Sequence, residues 1–485
     1  MNQNVLPIVE ALQQHNDKQP VSFHVPGHKS GWAMPEHGQK LFSSLLAYDQ
    51  TELTGLDDLH EADDVIALAQ ELAADVYDCA QTLFLVGGST AGNIAMIVAA
   101  FQREDVVFVQ RDVHKSIING LRLAGVTPVF LYPAYDEGSH LSLGLSVQTV
   151  EEAFRLYPSA QGLILTSPSY YGWTPVLRPL IEAVHERDAV VLVDEAHGAH
   201  FPASSIFPAS ALTQGADLVV QSAHKTLPAL TMTGYLHIGK SSRIPAQAVQ
   251  DAASMVQSSS PSYPLLASLD IARKYLFDLM QTMDDKITHH LYEQKSNILK
   301  AAGLQEAVVP DGVEQDPLKC IVQAPEGYSG WILQQYLEEK NIFPELADHR
   351  HVLFILSFET VPARTYEGIE QAVKQMRKEA SPSYDSTPPL SPPYFGIQPV
   401  DDKWNAKSGG KPMQQVVEDT FGKKTASDII PYPPGIPLFL KGETLTGERF
   451  EFLCQWLSKG GAIQGGVKDR NGNWYISIWK KDGKT

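Results

Sequence analysis

A lysine stands directly after the apolar run at residues 217–221 (DLVVQ), within Ser222-Ala223-His224-Lys225. Burial at the end of a strand lowers the pKa of an amine, and the free base can form a Schiff base with an aldehyde. A lysine that reaches solvent from a loop is the alternative. The chain has two other His-Lys pairs, but only Lys225 comes after both a Gly-rich loop and a strand-end aspartate.

That aspartate is Asp194, which ends the run at residues 189–194 (AVVLVD). A buried carboxylate is costly unless it is paired, so one interpretation is a partner for a cationic nitrogen of a ligand. A second is a metal site of Asp194, His197 and His200, because two histidines three residues apart can share a helical face. The letters DEAH also occur in helicases, but this chain has no Walker A loop.

Two further groups follow apolar runs. The loop at residues 87–93 (GGSTAGN) opens a helical pattern, and the exposed N–H groups and dipole of such a helix can hold a phosphate. Ser89 and Thr90 would add hydroxyl donors, although a plain strand–helix turn is equally consistent. His114 follows the run at 105–110 and could stack on an aromatic ligand, or simply adjoin a helix cap.

Short apolar runs must position these groups. The runs alternate with helical patterns such as 149–156 and 179–186, and they lie at residues 81–86, 105–110, 127–132, 162–166, 189–194 and 217–221. This alternation predicts a mostly parallel sheet covered by helices. Ligands bind at the carboxyl ends of such strands, so the four groups are expected at one edge of the sheet.

The rest of the chain suggests further parts. We predict an N-terminal helical and loop segment (1–70), a large ligand-binding domain (71–303), a small α/β domain (304–378), a Pro- and Ser-rich linker (379–400) and a C-terminal domain (401–485).

The amino-acid composition indicates which partners and which cellular location to expect. The 485 residues include 38 basic and 56 acidic side chains, for a net charge of −18. This charge disfavours nucleic acid and membrane surfaces as partners. Three scattered cysteines and no recognisable signal peptide or membrane span predict a cytoplasmic protein.

One cofactor, pyridoxal 5'-phosphate, needs all four of these groups. It needs a loop that binds its phosphate, a histidine that stacks on its ring, an aspartate for its ring nitrogen and a lysine for its aldehyde. Each motif is weak alone, but together they supply different parts of that molecule. The sequence therefore predicts a pyridoxal-phosphate site and assigns no metal.

The sequence resembles the bacterial Orn/Lys/Arg decarboxylase family of fold-type I enzymes, and specifically the short biosynthetic form of Gram-positive bacteria. The resemblance spans nearly the whole chain. It rests on residues 23–31 (FHVPGHKSG), 56–60 (LDDLH), 87–93 (GGSTAGN), 112–116 (DVHKS), 193–198 (VDEAHG), 222–225 (SAHK) and 432–437 (YPPGIP). It implies an α/β fold: a fold-type I, pyridoxal-phosphate-dependent transferase-like large domain with a mostly parallel sheet, a small α/β domain and a C-terminal α+β domain.

The resemblance also implies residue roles. Lys225 would bind the cofactor aldehyde, Asp194 would pair with the pyridinium nitrogen, and His114 would stack on the ring. His197 would lie beside the cofactor and Ala196 would pack against it. Either Lys225 or His197 would protonate the α-carbon.

The remaining implied contacts go to the cofactor phosphate, from Ser89, Thr90, Ala91, Ser222 and His224. Ser258 and Ser259 match a segment that reaches the phosphate of a neighbouring subunit. A homodimer or larger homo-oligomer with shared sites is therefore expected.

The implied activity is decarboxylation of a basic L-amino acid to its amine in polyamine biosynthesis, with arginine favoured over lysine and ornithine. Glu443, Asp57 and Asp58 are candidate acceptors for the basic side chain of the substrate. The alternatives are another fold-type I enzyme such as an aminotransferase, a metal hydrolase using Asp194, His197 and His200, and a non-catalytic binding protein.

Overall fold

The computed structural model describes residues 1–283, 285–382, 396–400, 404, 411–432 and 435–480. Residues 383–395 of the predicted linker and Pro433-Pro434 of the 432–437 motif lie outside the described residues. In the described ranges, no helix combines the length and apolar character needed to cross a bilayer.

Three helices form the first part of the chain: α1 (Pro7–Asp17), α2 (Glu36–Phe42) and α3 (Val65–Val76). Asp57 holds the start of α3, because its carboxylate accepts the backbone N–H groups of Asp64 (3.0 Å) and Ile66 (2.8 Å). A carboxylate at a helix N-terminus satisfies donors that the helix itself leaves free.

The central region supplies most of the strands. They are β1 (Gln81–Leu85), β2 (Val106–Gln110), β3 (Thr127–Leu131), β4 (Ala134–Tyr135), β5 (Ser142–Gly144), β6 (Gly162–Thr166), β7 (Trp173–Pro175), β8 (Val190–Asp194), β9 (Leu218–Gln221) and β10 (Gly234–Ile238). The six apolar runs are all strands, each within one residue of its predicted bounds.

Helices alternate with these strands and then end the region: α4 (Gly88–Ala100), α5 (Lys115–Ala124), α6 (Val147–Leu156), α7 (Arg178–His185), α8 (Ala223–Thr226), α9 (Ala246–Val256), α10 (Tyr263–Thr282) and α11 (Asp285–Ala302). The strands β9, β8, β6, β2 and β3 lie side by side and parallel. The sheet is mixed, because β10 runs antiparallel between β9 and β1. The sequence pattern did not predict β10.

Successive side chains of the central strands enter two cores on opposite faces of the sheet. Val109 packs in one core with Ile97 of α4 and Ile117 of α5. Its neighbour Phe108 packs in the other core with Phe154 of α6. Burial of each such side chain stabilises the fold by roughly 1.5–3 kcal/mol, so the sheet is a firm platform for groups at its edge.

The next region is a small antiparallel sheet with two helices. Its elements are β11 (Gln305–Glu306), β12 (Val313–Gln315), β13 (Lys319–Gln323), α12 (Gly330–Glu338), β14 (Leu346–Ala347), β15 (His351–Ile355) and α13 (Arg364–Glu379). The sheet order is β11-β13-β15-β14. Strand β12 lies outside this sheet. It pairs with β7 of the central region and so joins the two regions.

The C-terminal region contains β16 (Ile397–Pro399), β17 (Pro412–Val416), β18 (Ile430–Tyr432), α14 (Gly447–Ser458), β19 (Ala462–Gln464), β20 (Gly466–Lys468) and β21 (Trp474–Trp479). Strand β16, from the end of the predicted linker, pairs with β3 and forms an edge of the large sheet. The domain boundaries themselves stay a prediction.

Candidate active site

A cavity of about 230 Å³ lies at the carboxyl ends of the parallel strands. Asp194 ends β8, Thr166 ends β6 beside it, and both line the cavity. Six of the predicted site residues are among its lining residues: Ser89, His114, Asp194, Ala196, His197 and Lys225. The structure therefore brings together residues that are up to 136 positions apart between Ser89 and Lys225.

A hydrogen-bond chain orients Asp194 and His114. The amide nitrogen of Asn93 donates to Asp194 Oδ2 (2.8 Å) and to Ser116 Oγ (2.9 Å). The Ser116 hydroxyl is 2.8 Å from His114 Nδ1, and the Ser116 backbone N–H donates to the same atom. Two donors at Nδ1 make it an acceptor, which assigns the remaining ring proton to Nε2. Burial lowers the pKa of His114, so the imidazole is neutral.

Lys225 and His197 are in direct contact, since Lys225 Nζ is 3.2 Å from His197 Nε2. On the other side of the ring, His197 Nδ1 is 3.0 Å from Nζ of Lys319. Tyr170 packs edge-on against the imidazole at 4.6 Å between ring centroids. The histidine is thus fixed between two amines.

Burial changes the ionisation of all three groups. It lowers the pKa of Lys225, an effect that Asp194 and Glu345 oppose. Burial and then the two lysines hold the pKa of His197 well below its usual range, so this ring is neutral. Burial also lowers the pKa of Lys319 to about 8. Burial of Lys225 therefore favours the nucleophilic free amine relative to an exposed lysine.

The start of α4 offers donors to an anion. Gly87 is its N-cap and supplies no side-chain capping bond. The Ser89 hydroxyl lines the cavity and accepts a hydrogen bond from Ser222 Oγ (2.9 Å). Helix N-termini and hydroxyls are the groups that bind phosphate in proteins.

Several predicted residues do not line the cavity. Ser222 lies behind Ser89, Ala91 is buried within α4, and His224 Nδ1 is 2.9 Å from the carbonyl oxygen of Thr233. Thr90 is exposed. Ser258 and Ser259 are exposed as well, and the Ser258 carbonyl is 2.8 Å from His60 Nε2. Their phosphate contacts stay predictions.

The metal interpretation of Asp194, His197 and His200 is wrong. The segment forms turns after β8 instead of a helix. His200 is fully buried and its Nε2 is 3.0 Å from Asp316 Oδ1, away from His197, which contacts the lysines. In the described part of the chain, no cluster of three or more histidine, cysteine or acidic side chains can hold a metal.

The three candidate acceptors for a basic side chain are also not at the cavity. Glu443 accepts hydrogen bonds from Leu440 N–H (2.8 Å) and Arg449 (3.1 Å). Asp57 caps α3, and Asp58 accepts the His60 N–H (2.8 Å). Sequence position alone did not reveal that the local backbone already uses these carboxylates.

Four residues that the sequence did not single out complete the site: Asn93, Asp112, Thr166 and Lys319. Asn93 had a signal, because it stands one turn inside the helix that follows the Gly-rich loop. Asp112 was visible within the DVHKS motif, and Thr166 ends a predicted strand. Lys319 begins β13 far from the other motifs, and its only signal is a lysine that enters an apolar strand.

Gly172 fixes the approach of Lys319. Its φ is +85°, and an added Cβ would lie 2.4 Å from Lys319 Cγ and 3.1 Å from Asp316 Cβ. We expect Gly172→Ala to destabilise the fold by about 2–4 kcal/mol, from backbone strain and overpacking. Thermal unfolding measures this loss.

Gly312→Ala is the matched control, because Gly312 has a φ of +81° and nothing within 4 Å of an added Cβ. This variant should lose only the stability that the backbone strain costs. Equal losses of stability in the two variants would contradict the close packing of Gly172 on Lys319.

Comparison with known proteins gives the family. Residues 6–316 match the model of the Orn/Lys/Arg decarboxylase major domain. The chain belongs to the Orn/Lys/Arg decarboxylase family. Like the family members with a named activity, it is a decarboxylase, which confirms the predicted resemblance and enzyme class.

Relatives of this Orn/Lys/Arg decarboxylase match over nearly full length. The uncharacterized protein YaaO of Bacillus subtilis is 40% identical, with 95% of this chain and 96% of that protein covered. The arginine decarboxylase of the same organism is 31% identical, with 96% of each chain covered. The structure of the lysine decarboxylase LdcF from Francisella novicida superposes with a TM-score of 0.80 at 19% identity, covering 98% of this chain and 81% of that one. The predicted fold class is confirmed.

Proposed function

We propose that this decarboxylase uses pyridoxal 5'-phosphate to convert a basic L-amino acid, with arginine preferred over lysine and ornithine, into its amine and carbon dioxide. The proposal rests on the placement of Lys225 and Asp194 in one cavity. Lys225 supplies an amine for the cofactor aldehyde, and Asp194 supplies a carboxylate for the ring nitrogen. Curated relatives named arginine decarboxylase support the choice of substrate.

The cavity fits the cofactor on an independent ground. Thr166 Oγ1 is buried in the cavity wall beside Asp194 and has no hydrogen-bond partner. A buried hydroxyl without a partner costs free energy that a polar ligand would recover. The open start of α4 and Ser89 would hold the phosphate, Asp194 the ring nitrogen, His114 the ring face and Lys225 the aldehyde.

When bound, the cofactor would draw off the electrons that the departing carbon dioxide leaves behind. The chain's own groups do the rest. Asn93 keeps the Asp194 carboxylate in place, where its negative charge would hold a proton on the ring nitrogen. The neutral His114, which lines the cavity, would stack on the ring face. The His197 Nε2 atom or the Lys225 amine would deliver the proton to the α-carbon, because the two nitrogens lie 3.2 Å apart and both residues line the cavity.

Asp112 is the acceptor that we propose for the basic end of the substrate. It lines the cavity and is half-buried, and Gln110 donates to its Oδ1 at 2.7 Å. Burial raises the pKa of this carboxyl more than its hydrogen bonds lower it. A cation placed here would recover that cost, and the cationic guanidinium or ammonium of a basic amino acid supplies one.

An amine-release assay tests the proposed function. Purified protein is supplied with pyridoxal phosphate and, separately, with arginine, lysine and ornithine. Release of agmatine in excess over cadaverine and putrescine is expected. A cofactor-loaded protein that releases no amine from any of the three would disprove the proposed substrate class.

We expect Asp112→Asn to raise the KM for arginine by roughly 10- to 100-fold, since a hydrogen bond to a charged group is worth about 1.5–3 kcal/mol. Cofactor uptake should not change. Asp105→Asn removes the same charge at the opposite end of β2, where Asp105 accepts the Gln102 N–H, and serves as the control. A KM that responds equally to both variants would argue for a general charge effect.

We also propose a homodimer with shared active sites, in which Ser258 and Ser259 reach the neighbouring phosphate. The N-terminal loop supports an interface, because Phe23 is 92% exposed and Val21, Val25 and Trp32 are each more than 60% exposed. Exposed apolar surface of this extent is typical of a protein interface. A role in polyamine biosynthesis fits the proposed product, and the cytoplasmic location stays a prediction.

A further inference from the structure

The C-terminal region contributes an aromatic part of the cavity wall that the function proposed above does not use. Phe452 and Trp456 of α14 both line the cavity. They are one helical turn apart, and their rings stack with 6.1 Å between centroids and 19° between planes. Phe452 is half-buried, whereas Trp456 is only 5% exposed. The pair therefore presents a flat apolar surface to whatever occupies the cavity.

Trp456 is held firmly in this wall. Its indole N–H donates to the carbonyl oxygen of Ala462 (3.0 Å), and Trp331 packs edge-on against it at 5.0 Å between ring centroids. Gly461 also lies against the indole, since an added Cβ there would be 2.3 Å from Nε1. Because the rings are already ordered, a ligand that stacks on the pair pays little for fixing them.

The described residues that line the cavity include three carboxylates: Asp112, Asp194 and Asp348. Under the proposed function, Asp194 serves the cofactor. Asp348 Oδ1 accepts the backbone N–H groups of Arg350 and His351, each at 2.6 Å. Its Oδ2 contacts the Tyr171 hydroxyl and lies 3.1 Å from His351 Nδ1. Asp112 is therefore the carboxylate that remains for a cationic side chain of the substrate.

A series of contacts connects Asp112 to the aromatic pair. The Ser142 hydroxyl donates to the Asp112 carboxylate. Ser142 on β5 is opposite Tyr135 on β4, and the Cβ atoms of directly opposed residues in such strands lie about 4.5–5.5 Å apart. Tyr135 and Phe452 both pack against the apolar cluster that contains Trp456. Since Ser142 and Tyr135 also line the cavity, the carboxylate and the aromatic pair belong to one continuous stretch of its wall.

Two further histidines of the cavity wall, His140 and His349, would repel a cation if they were protonated. Burial lowers the pKa of His349 to about 4 and also lowers that of His140. Both imidazoles are therefore neutral near pH 7, and they do not oppose the binding of a cation at Asp112.

A carboxylate beside a flat aromatic surface distinguishes between basic side chains. A guanidinium is planar and weakly hydrated, and it can stack on a ring while its N–H groups donate to a carboxylate. The ammonium of lysine or ornithine is a compact, strongly hydrated charge, so it would lose more hydration against Phe452 and Trp456. This part of the wall is therefore matched to a guanidinium.

We propose that Phe452, supported by Trp456, determines substrate specificity: the guanidinium of arginine stacks on this aromatic pair while it binds Asp112. The inference rests on the proposed function, which takes the preference for arginine from the names of relatives, and it gives that preference a physical cause. It also assigns a part in substrate recognition to the C-terminal region, which lies outside the family match at residues 6–316.

The test compares kcat/KM for arginine and for lysine in the cofactor-loaded wild type and in Phe452→Leu, which stays apolar but lacks the ring. The value for arginine should fall by about 5- to 30-fold, as expected for the loss of a desolvated cation–π contact. The value for lysine should fall by less than about twofold. An arginine-to-lysine ratio that does not change would overturn the proposal.

Two further variants separate stacking from other effects. Phe452→Tyr keeps an aromatic face and should retain the ratio to within about threefold, whereas a loss as large as in Phe452→Leu would exclude stacking as the cause. Phe421→Leu is the matched control, because Phe421 packs edge-on against Phe450 of the same helix at 5.4 Å and does not line the cavity. Its ratio should match that of the wild type. An equal fall in this control would mean that any disturbance of α14 changes the ratio, and the proposal would be wrong.

A double-mutant cycle checks that Phe452 and Asp112 act on the same group of the substrate. In an Asp112→Asn background, Phe452→Leu should lower kcat/KM for arginine by a clearly smaller factor than it does alone, because the guanidinium is no longer held against the ring. Equal factors in the two backgrounds would contradict the joint contact.

Ligand binding to the wild type gives an answer even if Phe452→Leu does not fold. Butylguanidine and pentylamine are similar in length and differ in their cationic group. Calorimetric titration of the cofactor-loaded protein should show that butylguanidine binds at least about fivefold more tightly. Equal affinities would overturn the proposal.

The outcome for the proposed function is distinguishable from these results, because the titration does not require turnover. A wild type that decarboxylates lysine or ornithine in preference to arginine would overturn the inference and leave the reaction and the cofactor in place. A cofactor-loaded wild type that releases no amine from any of the three amino acids would disprove the proposed function itself.

Discussion

Lys225→Ala is expected to abolish covalent cofactor capture and to lower kcat/KM for the basic amino acid by about three orders of magnitude or more. The reason is positional. Lys225 lines the cavity together with Asp194, its Nζ lies 3.2 Å from His197 Nε2, and burial lowers its pKa toward the reactive free base. Borohydride reduction followed by mass spectrometry of the labelled peptide measures the capture, and amine release measures the activity.

Lys240→Ala provides the control for this prediction, because Lys240 is exposed and pairs with Asp78. It should retain both the label at Lys225 and the activity. Cofactor that remains covalently fixed in Lys225→Ala would show that another lysine captures the aldehyde.

Asp194→Asn should lower kcat by roughly 10²- to 10⁴-fold and weaken cofactor retention, while the fold stays intact. The amide has the shape of the carboxylate and can still accept from Asn93, which holds Oδ2 at 2.8 Å. It has no negative charge to keep a proton on the ring nitrogen of a bound cofactor. Kinetics together with the absorbance of the loaded protein test this expectation.

Asp217→Asn is the matched comparison, since Asp217 is also fully buried in the large sheet but lies at its opposite edge. Its carboxylate accepts the backbone N–H groups of Val191 and Arg243, each at 2.8 Å. That variant should lose about 1–3 kcal/mol of stability and retain cofactor binding per folded molecule. If both variants lose cofactor to the same degree, Asp194 would be a structural residue.

The large sheet and the edge that carries the site could be predicted from the sequence for a physical reason. Strands buried on both faces need continuous apolar runs, and a chain in an α/β sheet returns each run to the same edge. Asp194 and Lys225 could therefore be recognised as polar residues at the ends of such runs. His114 and Ser89 were predicted in the same way.

Contacts between residues distant in sequence could not be predicted. The role of Asn93 depends on Asp194, which lies 101 positions away, and that of Lys319 depends on His197, which lies 122 positions away. The same limit explains the wrong metal interpretation, because nothing near His200 in sequence indicated that Asp316 would pair with it. Strand β10 was missed because its apolar run is interrupted by His237, which is buried beside Thr82 and Gln221.

The residues that line the cavity are synthesised at different times. Its lining residues extend along the chain from Ser89 to Trp456, and Ile436, Leu438 and Phe452 of the C-terminal region belong to it. A nascent chain on the ribosome thus exposes Lys225 well before the wall that shields it has been synthesised. Because burial is what lowers the pKa of Lys225, the amine stays an ordinary lysine until the C-terminal region has folded over the cavity, and its reactivity arises only at that last stage.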